Sequence, residues 1–324
     1  METYTIIVLT IAATIRVATP LLLAALAGMF SERSGVIDLG LEGKMLGAAF
    51  AAAAVAATTG SAWWGLCAGI ATSVALAGLI AFASVTLRGN QVVTAMAVNF
   101  MVAGMGPTLA LAWFNLGGQT PQLDDPSQRF TAVVWPWADH AREVPFPGLL
   151  YAELLSGHNL IVYVAVLLVP LVAWILFRTR FGMRLRAVGE NPHAVDTAGI
   201  SVKALRYQAV LISGVLCGVA GAYLSTAASA GFIRDMTAGK GYLALAALIF
   251  GKWKPWPTLA ACLLFAFTDA VATRLQGVEL PVVGIIPVQL VLALPYVMTV
   301  LLLAGFVGKA EAPGAIGVPY IKEK

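Results

Sequence analysis

Long apolar runs separated by short polar or glycine-rich stretches dominate the chain. A helix crossing a bilayer needs about 20 apolar residues. Such runs lie at 6–30, 44–58, 62–87, 91–114, 158–177, 207–228, 240–251, 256–275 and 286–306, with 44–58 and 240–251 short for a straight crossing. The pattern predicts an all-α fold, a polytopic membrane helix bundle of about nine (8–10) spans. Residues 1–27 resemble a signal peptide in Ala25-Leu26-Ala27, but METYT carries no base and Arg16 interrupts the apolar run. The segment is therefore read as a retained first span.

Composition closes off the other classes. Of 324 residues, 60% are hydrophobic and 11% charged, with mean hydropathy +0.86. A soluble domain carries about 25% charged residues, and a disordered one is more polar still. Cys67, Cys217 and Cys262 lie within apolar runs without a CxxC, which predicts buried small hydrophobes rather than a metal site or disulfide. The net charge of +4 and pI near 9.0 read as membrane topology, not as nucleic-acid affinity.

Segment 178–206 carries Arg178, Arg180, Arg184, Arg186, Lys203 and Arg206 against Glu190 and Asp196, whereas 115–157 is net acidic. The positive-inside rule makes the first cytoplasmic and the second external. Counting outward puts the N-terminus outside and the C-terminus in the cytoplasm. The long, proline-rich 115–157 segment is expected either to dock a substrate-delivery protein or to cap the chain's own bundle.

An internal repeat organises this single transmembrane domain. Gly35-Val-Ile-Asp-Leu-Gly-Leu-Glu-Gly-Lys44 returns as Gly231-Phe-Ile-Arg-Asp-Met-Thr-Ala-Gly-Lys240, with Gly, Ile, Gly and Lys coinciding. Each copy precedes an Ala-rich helix and follows a similar span, opened by Ile15-Arg16-Val17 or Leu205-Arg206-Tyr207. An odd number of spans separates the copies, so the halves (about 6–114 and 207–306, joined by span 158–177 and segment 178–206) form an inverted-topology repeat. Its glycine-rich segments would be discontinuous, as in transport proteins.

Polar groups inside the spans are the pathway candidates. Arg16 lies about 15 Å into its span by helix rise, and Pro20 at i+4 frees the Arg16 carbonyl. The arginine is expected either to contact substrate or to pair with Glu32 or Glu42. Asn99, Asp269 and Gln289 are the others, each lining the pathway or bonding a neighbouring helix. Arg16, Asn99, Asp269 and Gln289 are expected to border one cavity with the two glycine-rich copies, which contribute Asp38, Glu42 and Lys240. Gly65-x3-Gly69 and Gly214-x3-Gly218 fit close helix packing. Trp63, Trp64, Trp113, Trp253 and Trp256 fit an aromatic belt. His140, His158 and His193 show no metal-ligand or triad spacing, so neither a catalytic residue nor a metal ligand is assigned.

The motor must lie elsewhere. None of Gly43-Lys44, Gly239-Lys240, Gly251-Lys252 and Gly308-Lys309 completes a P-loop, and only Asp269 is a clear intramembrane acid. In the cytoplasmic segment, Asn191 before Pro192 signals a helix start and Gly199 a stop. The short helix between them, with Ala194, Val195 and Ala198 to one side, would suit a partner's cleft.

Ser31-Glu-Arg-Ser-Gly-Val-Ile-Asp-Leu-Gly-Leu-Glu-Gly43, Val188-Gly-Glu-Asn-Pro192, Thr197-Ala-Gly-Ile200 and Met236-Thr-Ala-Gly-Lys-Gly241 resemble the inner-membrane permeases of bacterial ABC importers. The resemblance covers about Arg16 to Phe306 and is nearest the nucleoside subgroup of the ribose/nucleoside branch. Asp38 and Lys240 depart from the Asn and Arg more usual there. The resemblance implies a second permease subunit (a paralogue or an identical copy), a cytoplasmic ATPase dimer that carries ATP and Mg, and an external substrate-binding protein. It implies no cofactor on this chain, and makes Glu190, Asn191, Pro192, Ala194 and Gly199 the coupling segment. Two rivals remain: an ion-coupled secondary transporter, and a prenyltransferase-like membrane enzyme suggested by Asp38-x3-Glu42.

Overall fold

A computed structural model describes residues 2–141, 147–275 and 311–322, with pieces at 279–280 and 284–285 and the single positions 293, 297 and 300. Of the expected span 286–306 those single positions alone are described, and Gln289 lies outside the described residues.

The helices are α1 (Glu2–Arg33), α2 (Leu41–Thr59), α3 (Ala62–Ala81, continued by a wide turn to Thr86), α4 (Gln91–Phe114), α5 (Leu160–Arg178), α6 (Arg180–Glu190), α7 (Pro192–Thr197), α8 (Val202–Tyr223, continued to Ala228), α9 (Lys240–Phe250) and α10 (Pro255–Leu275). Among the described residues seven helices are long and apolar enough to cross a membrane, and α9 is shorter. The stretch 44–58, expected to be short, begins earlier at Leu41 and runs 19 residues. That is about 28 Å by helix rise, close to the apolar thickness of a bilayer. Glu42 and Lys44 can join the helix because Gly239 and Gly241 at the start of α9 meet one charge and Asp38, in the preceding turn, meets the other.

Packing is reciprocal between the two halves. The opening helix of the first half, α1, lies against α9 and α10, while that of the second, α8, lies against α2 and α3. The openers also pack on each other, and α2 touches α9. Small residues allow these crossings. A Cβ on Gly214 or Gly218 would press on α3, and one on Gly65 or Gly69 on α2. The core between them is built from Leu22, Leu26, Met29, Met45, Cys217, Tyr223 and Phe265.

Two smaller expectations change. Trp253 is buried rather than part of a belt. Its indole N–H donates to Glu32 at 2.6 Å, and its carbonyl accepts from Arg33 at 2.9 and 3.2 Å. Trp63, Trp64, Trp113 and Trp256 are exposed as expected. Cys67 is exposed on α3, while Cys217 and Cys262 are buried.

The 115–157 segment divides in two. Its first part runs along the linker that leaves α8: Phe130, Leu123 and Thr120 donate backbone N–H groups to Thr226, Ala230 and Phe232, at 2.9, 3.0 and 3.1 Å. That stretch covers the chain's own bundle. Beyond it, Val134, Trp135 and Trp137 are exposed.

Candidate functional site

The two glycine-rich copies meet in the structure. The first turns α1 into α2 through Gly35 at φ +85°. The second turns α8 into α9 through Gly231, Asp235, Ala238 and Gly239, all at positive φ. Glu42, in the first turn of α2, accepts N–H groups from Gly239 at 2.9 Å and Gly241 at 2.6 Å. These donors open α9 and have no partner within the helix, and a carboxylate there also meets the positive end of the helix dipole. Gly241 is required by closeness, since a Cβ would strike the Glu42 backbone.

Asn99 of α4 joins the same place. Its Oδ1 accepts from Gly43 N–H at 2.9 Å, and its Nδ2 donates to the Leu39 carbonyl and to the Tyr242 hydroxyl, both at 2.9 Å. The Tyr242 hydroxyl donates onward to Met96 Sδ at 3.7 Å. Asn99 is buried, whereas Tyr242, in the first turn of α9, keeps 39% of its surface exposed. The N-terminal ends of α2 and α9 therefore converge beside an aromatic ring, a thioether and a polar rim. Such a surface can stack a flat ring on one side and bond its edge on the other.

Asp38 lies deeper than the sequence suggested. Its Oδ2 receives Lys44 Nζ at 2.6 Å and Ser213 Oγ at 2.6 Å, while Lys44 also donates to Ser213 at 2.8 Å. All three side chains are sealed from solvent. Asp38 is thereby a strut between α2 and α8. With Asp38 held by Lys44 and Glu42 by two amides, the pair offers no free double carboxylate of the prenyltransferase kind.

Arg16 lines a separate cavity, and among the described residues neither it nor Asp269 bonds to this cluster, while Gln289 lies outside the described residues. Asn99 sits on α4, which lies on α2 and α3, whereas Asp269 sits on α10, which lies on α1, α5 and α9. Arg16 is exposed, and it lines a cavity of about 350 Å³ with Asp124, Arg129, Phe130 and Asn159. Polar loops thus surround a side chain that was placed deep in the span. Neither expected ion pair exists, because Glu32 binds Trp253 and Glu42 binds α9. The freed carbonyl was legible, and the Tyr223 hydroxyl donates to it at 2.9 Å. Asp269 is half-buried on α10, and Lys240 is half-buried at the start of α9, beside the Glu42 contact.

At the other end, Asn191 caps α7 by accepting from Ala194 N–H at 3.1 Å, Pro192 sits at the first helical position, and Gly199 takes φ +76°. Ala194 and Ala198 are exposed, but Val195 turns inward. The Glu190 carboxylate accepts Gly314 N–H at 3.1 Å. Sequence reasoning passed over Tyr242, Ser213 and the 311–322 segment. Tyr242 follows the second glycine-rich copy by two residues, and Pro313-Gly-Ala-Ile-Gly-Val-Pro-Tyr320 is too apolar for a free tail; both were available signals.

Comparison with known proteins gives a consistent picture. The family model described as "Branched-chain amino acid transport system / permease component" matches residues 10–303. A guanosine ABC transporter permease protein of Bacillus subtilis is 36% identical over 100% of both chains. A nucleoside ABC transporter permease protein of Lactococcus lactis is 37% identical over 95% of each. A putative glucose ABC transporter permease protein of Haloferax volcanii is 34% identical over 96% of this chain and 97% of its own. No solved structure matches.

Proposed function

Since the chain belongs to the branched-chain amino acid transport system / permease component family, we propose that it is the membrane subunit of an ATP-driven importer of a nucleoside or a related sugar-containing solute. The observation that carries the reading is the meeting of the two glycine-rich segments at Glu42, with Asn99 and Tyr242 beside it. Passage through a bundle needs a place where two movable halves touch, and inverted repeats supply one at their interface. The reciprocal packing of α1 and α8 supports such a repeat. The nucleoside class rests on the names of the Bacillus and Lactococcus relatives, and the aromatic ring and amide chemistry at Tyr242 and Asn99 suit it.

In this reading Glu42, Asn99, Lys240 and Tyr242 border the pathway. Arg16 stands at its external mouth, and α7 is the coupling helix. A cytoplasmic ATPase dimer, a second permease subunit and an external substrate-binding protein complete the assembly in the bacterial inner membrane. The N-terminus would be outside and the C-terminus inside. ATP and Mg would bind the ATPase, none of them this chain. Alternating access between inward- and outward-open states would move the solute.

The test is Ala194→Asp in the intact complex. The substitution puts a carboxylate on the exposed face of α7, and burying it unpaired in a partner costs several kcal/mol. A micromolar interface is worth only about 8.2 kcal/mol. Membrane insertion should be normal, with co-purification of the ATPase and guanosine uptake both lost. Normal ATPase binding and uptake would refute the coupling role. In the same membranes, single cysteines at 185–200 should be labelled only from within; labelling from outside would reverse the orientation.

A further inference from the structure

The 311–322 segment lies across two places that the functional reading separates. At one end, Ala315 N–H donates to the Gly189 carbonyl at 2.8 Å and Gly314 N–H to the Glu190 carboxylate at 3.1 Å, immediately before α7. At the other, Gly317 N–H donates to the Gly35 carbonyl at 3.0 Å, at the start of the first glycine-rich turn. Arg206, 1% exposed, grips both partners: Nη1 donates to the Val318 carbonyl at 3.0 Å and Nε to the Ser34 carbonyl at 3.2 Å. The segment then follows the side of α7. The Tyr320 and His193 rings lie 5.4 Å apart, and Lys322 comes within 4.0 Å of Asp196.

We propose that residues 311–322 are a strap that ties the coupling helix to the first glycine-rich segment, so that a push on α7 moves Gly35–Lys44 with it. This deepens the functional reading above and rests on it. The physical need is plain. A helix of six residues cannot hold its own shape in water. Val195, its inward side chain, is covered by Tyr320 together with Val188, Val202 and Leu205. The joint at Gly189 is already closed against the Arg33 carbonyl, leaving no room for a Cβ. Strap and joint together turn a flexible corner into one body. From Gly35 that body continues through the Asp38–Lys44–Ser213 strut to Glu42 and so to α9.

A matching device serves the other half. The 120–130 stretch pairs with the linker after α8 as the strap pairs with the turn after α1. Arg16 lines one cavity with Ala227 there, whereas Arg206 bonds the Ser34 carbonyl here. Each glycine-rich segment thus has its own brace from outside the repeat. Only the strap's brace reaches α7.

The experiment uses the whole complex in proteoliposomes, reading uptake of labelled guanosine, adenosine, uridine and glucose per ATP hydrolysed. One variant ends the chain after Ala310. A second, Gly317→Val, keeps the length but strains a φ of +75° and drives a side chain into Ile37. Both should still bind the ATPase. The shortened chain should lose at least tenfold in uptake per ATP, and Gly317→Val should lose less but in the same direction. Unchanged uptake per ATP in either variant overturns the strap, and so does loss of ATPase binding in both, which would make the segment a binding element. If the shortened chain does not accumulate, Gly317→Val decides alone. An unmodified complex with no ATP-dependent uptake of any of the four solutes refutes the functional reading instead.

Discussion

Asp38→Asn leaves Lys44 as a buried cation with no counter-charge. Lys44 Nζ sits 2.6 Å from Asp38 Oδ2 and 2.8 Å from Ser213 Oγ, and neither charged side chain is more than 1% exposed. Breaking a buried pair by removing one partner costs about 3–5 kcal/mol. Asparagine can still accept a hydrogen bond at the same distance, so the loss should fall toward the lower end, about 3 kcal/mol. Replacing both charges relieves that penalty, because a well-packed apolar substitute for a buried pair is often neutral or stabilising. Asp38→Asn should therefore lower thermal stability in detergent, and Asp38→Asn with Lys44→Met should recover most of it. The assay is the melting midpoint of the purified chain for each single variant and the double. A double variant no better than the sum of the singles would refute the strut. So would Asp38→Asn with the melting temperature of the unmodified protein.

Two further outcomes follow from the site and its surroundings. Tyr242→Phe removes the hydroxyl that meets Asn99 and Met96 but keeps the ring, so uptake should fall a few-fold. Tyr242→Ala should abolish it, and equal uptake by both would remove Tyr242 from the pathway. His158 is 2% exposed, and burial, then the charge of Arg16, hold it below its ordinary pKa of about 6.5. Above that pH it is neutral in both folded and unfolded states. Below it the unfolded chain binds a proton that the folded chain refuses, so stability is lost as pH falls. Melting midpoints from pH 7.5 to 5.5 should drop more for the unmodified chain than for His158→Phe; parallel curves would refute this.

Much of the fold was legible because lipid imposes a simple rule. Apolar runs of span length become helices, and 62–87, 91–114 and 158–177 return almost unchanged as α3, α4 and α5. The Asn191-Pro192 start was legible for a local reason, since both residues act within one turn. The meeting of the glycine-rich copies was expected from their likeness, although which atoms touch was not. The setting of Arg16 was not legible, because depth along one helix says nothing of the 124–132 and 157–159 loop residues that line its cavity. Trp253 was misread because a tryptophan near a span end looks the same whether it faces lipid or a buried carboxylate. The strap escaped notice since the hydrogen bonds that tie it to Gly35, Gly189, Glu190 and Arg206 all use its own main chain, which leaves no residue signature.

The grip of Glu42 on the start of α9 also bears on leakage. A hydrogen bond to a charged group contributes about 1.5–3 kcal/mol, so the pair made by Gly239 and Gly241 holds the halves together by roughly 3–6 kcal/mol. At about 1.4 kcal/mol per tenfold, unassisted parting would be rarer by two to four orders of magnitude than in a bundle without that carboxylate. A membrane that must keep its gradients while such subunits sit idle gains a latch from a single side chain, one that stays shut until work is done on it.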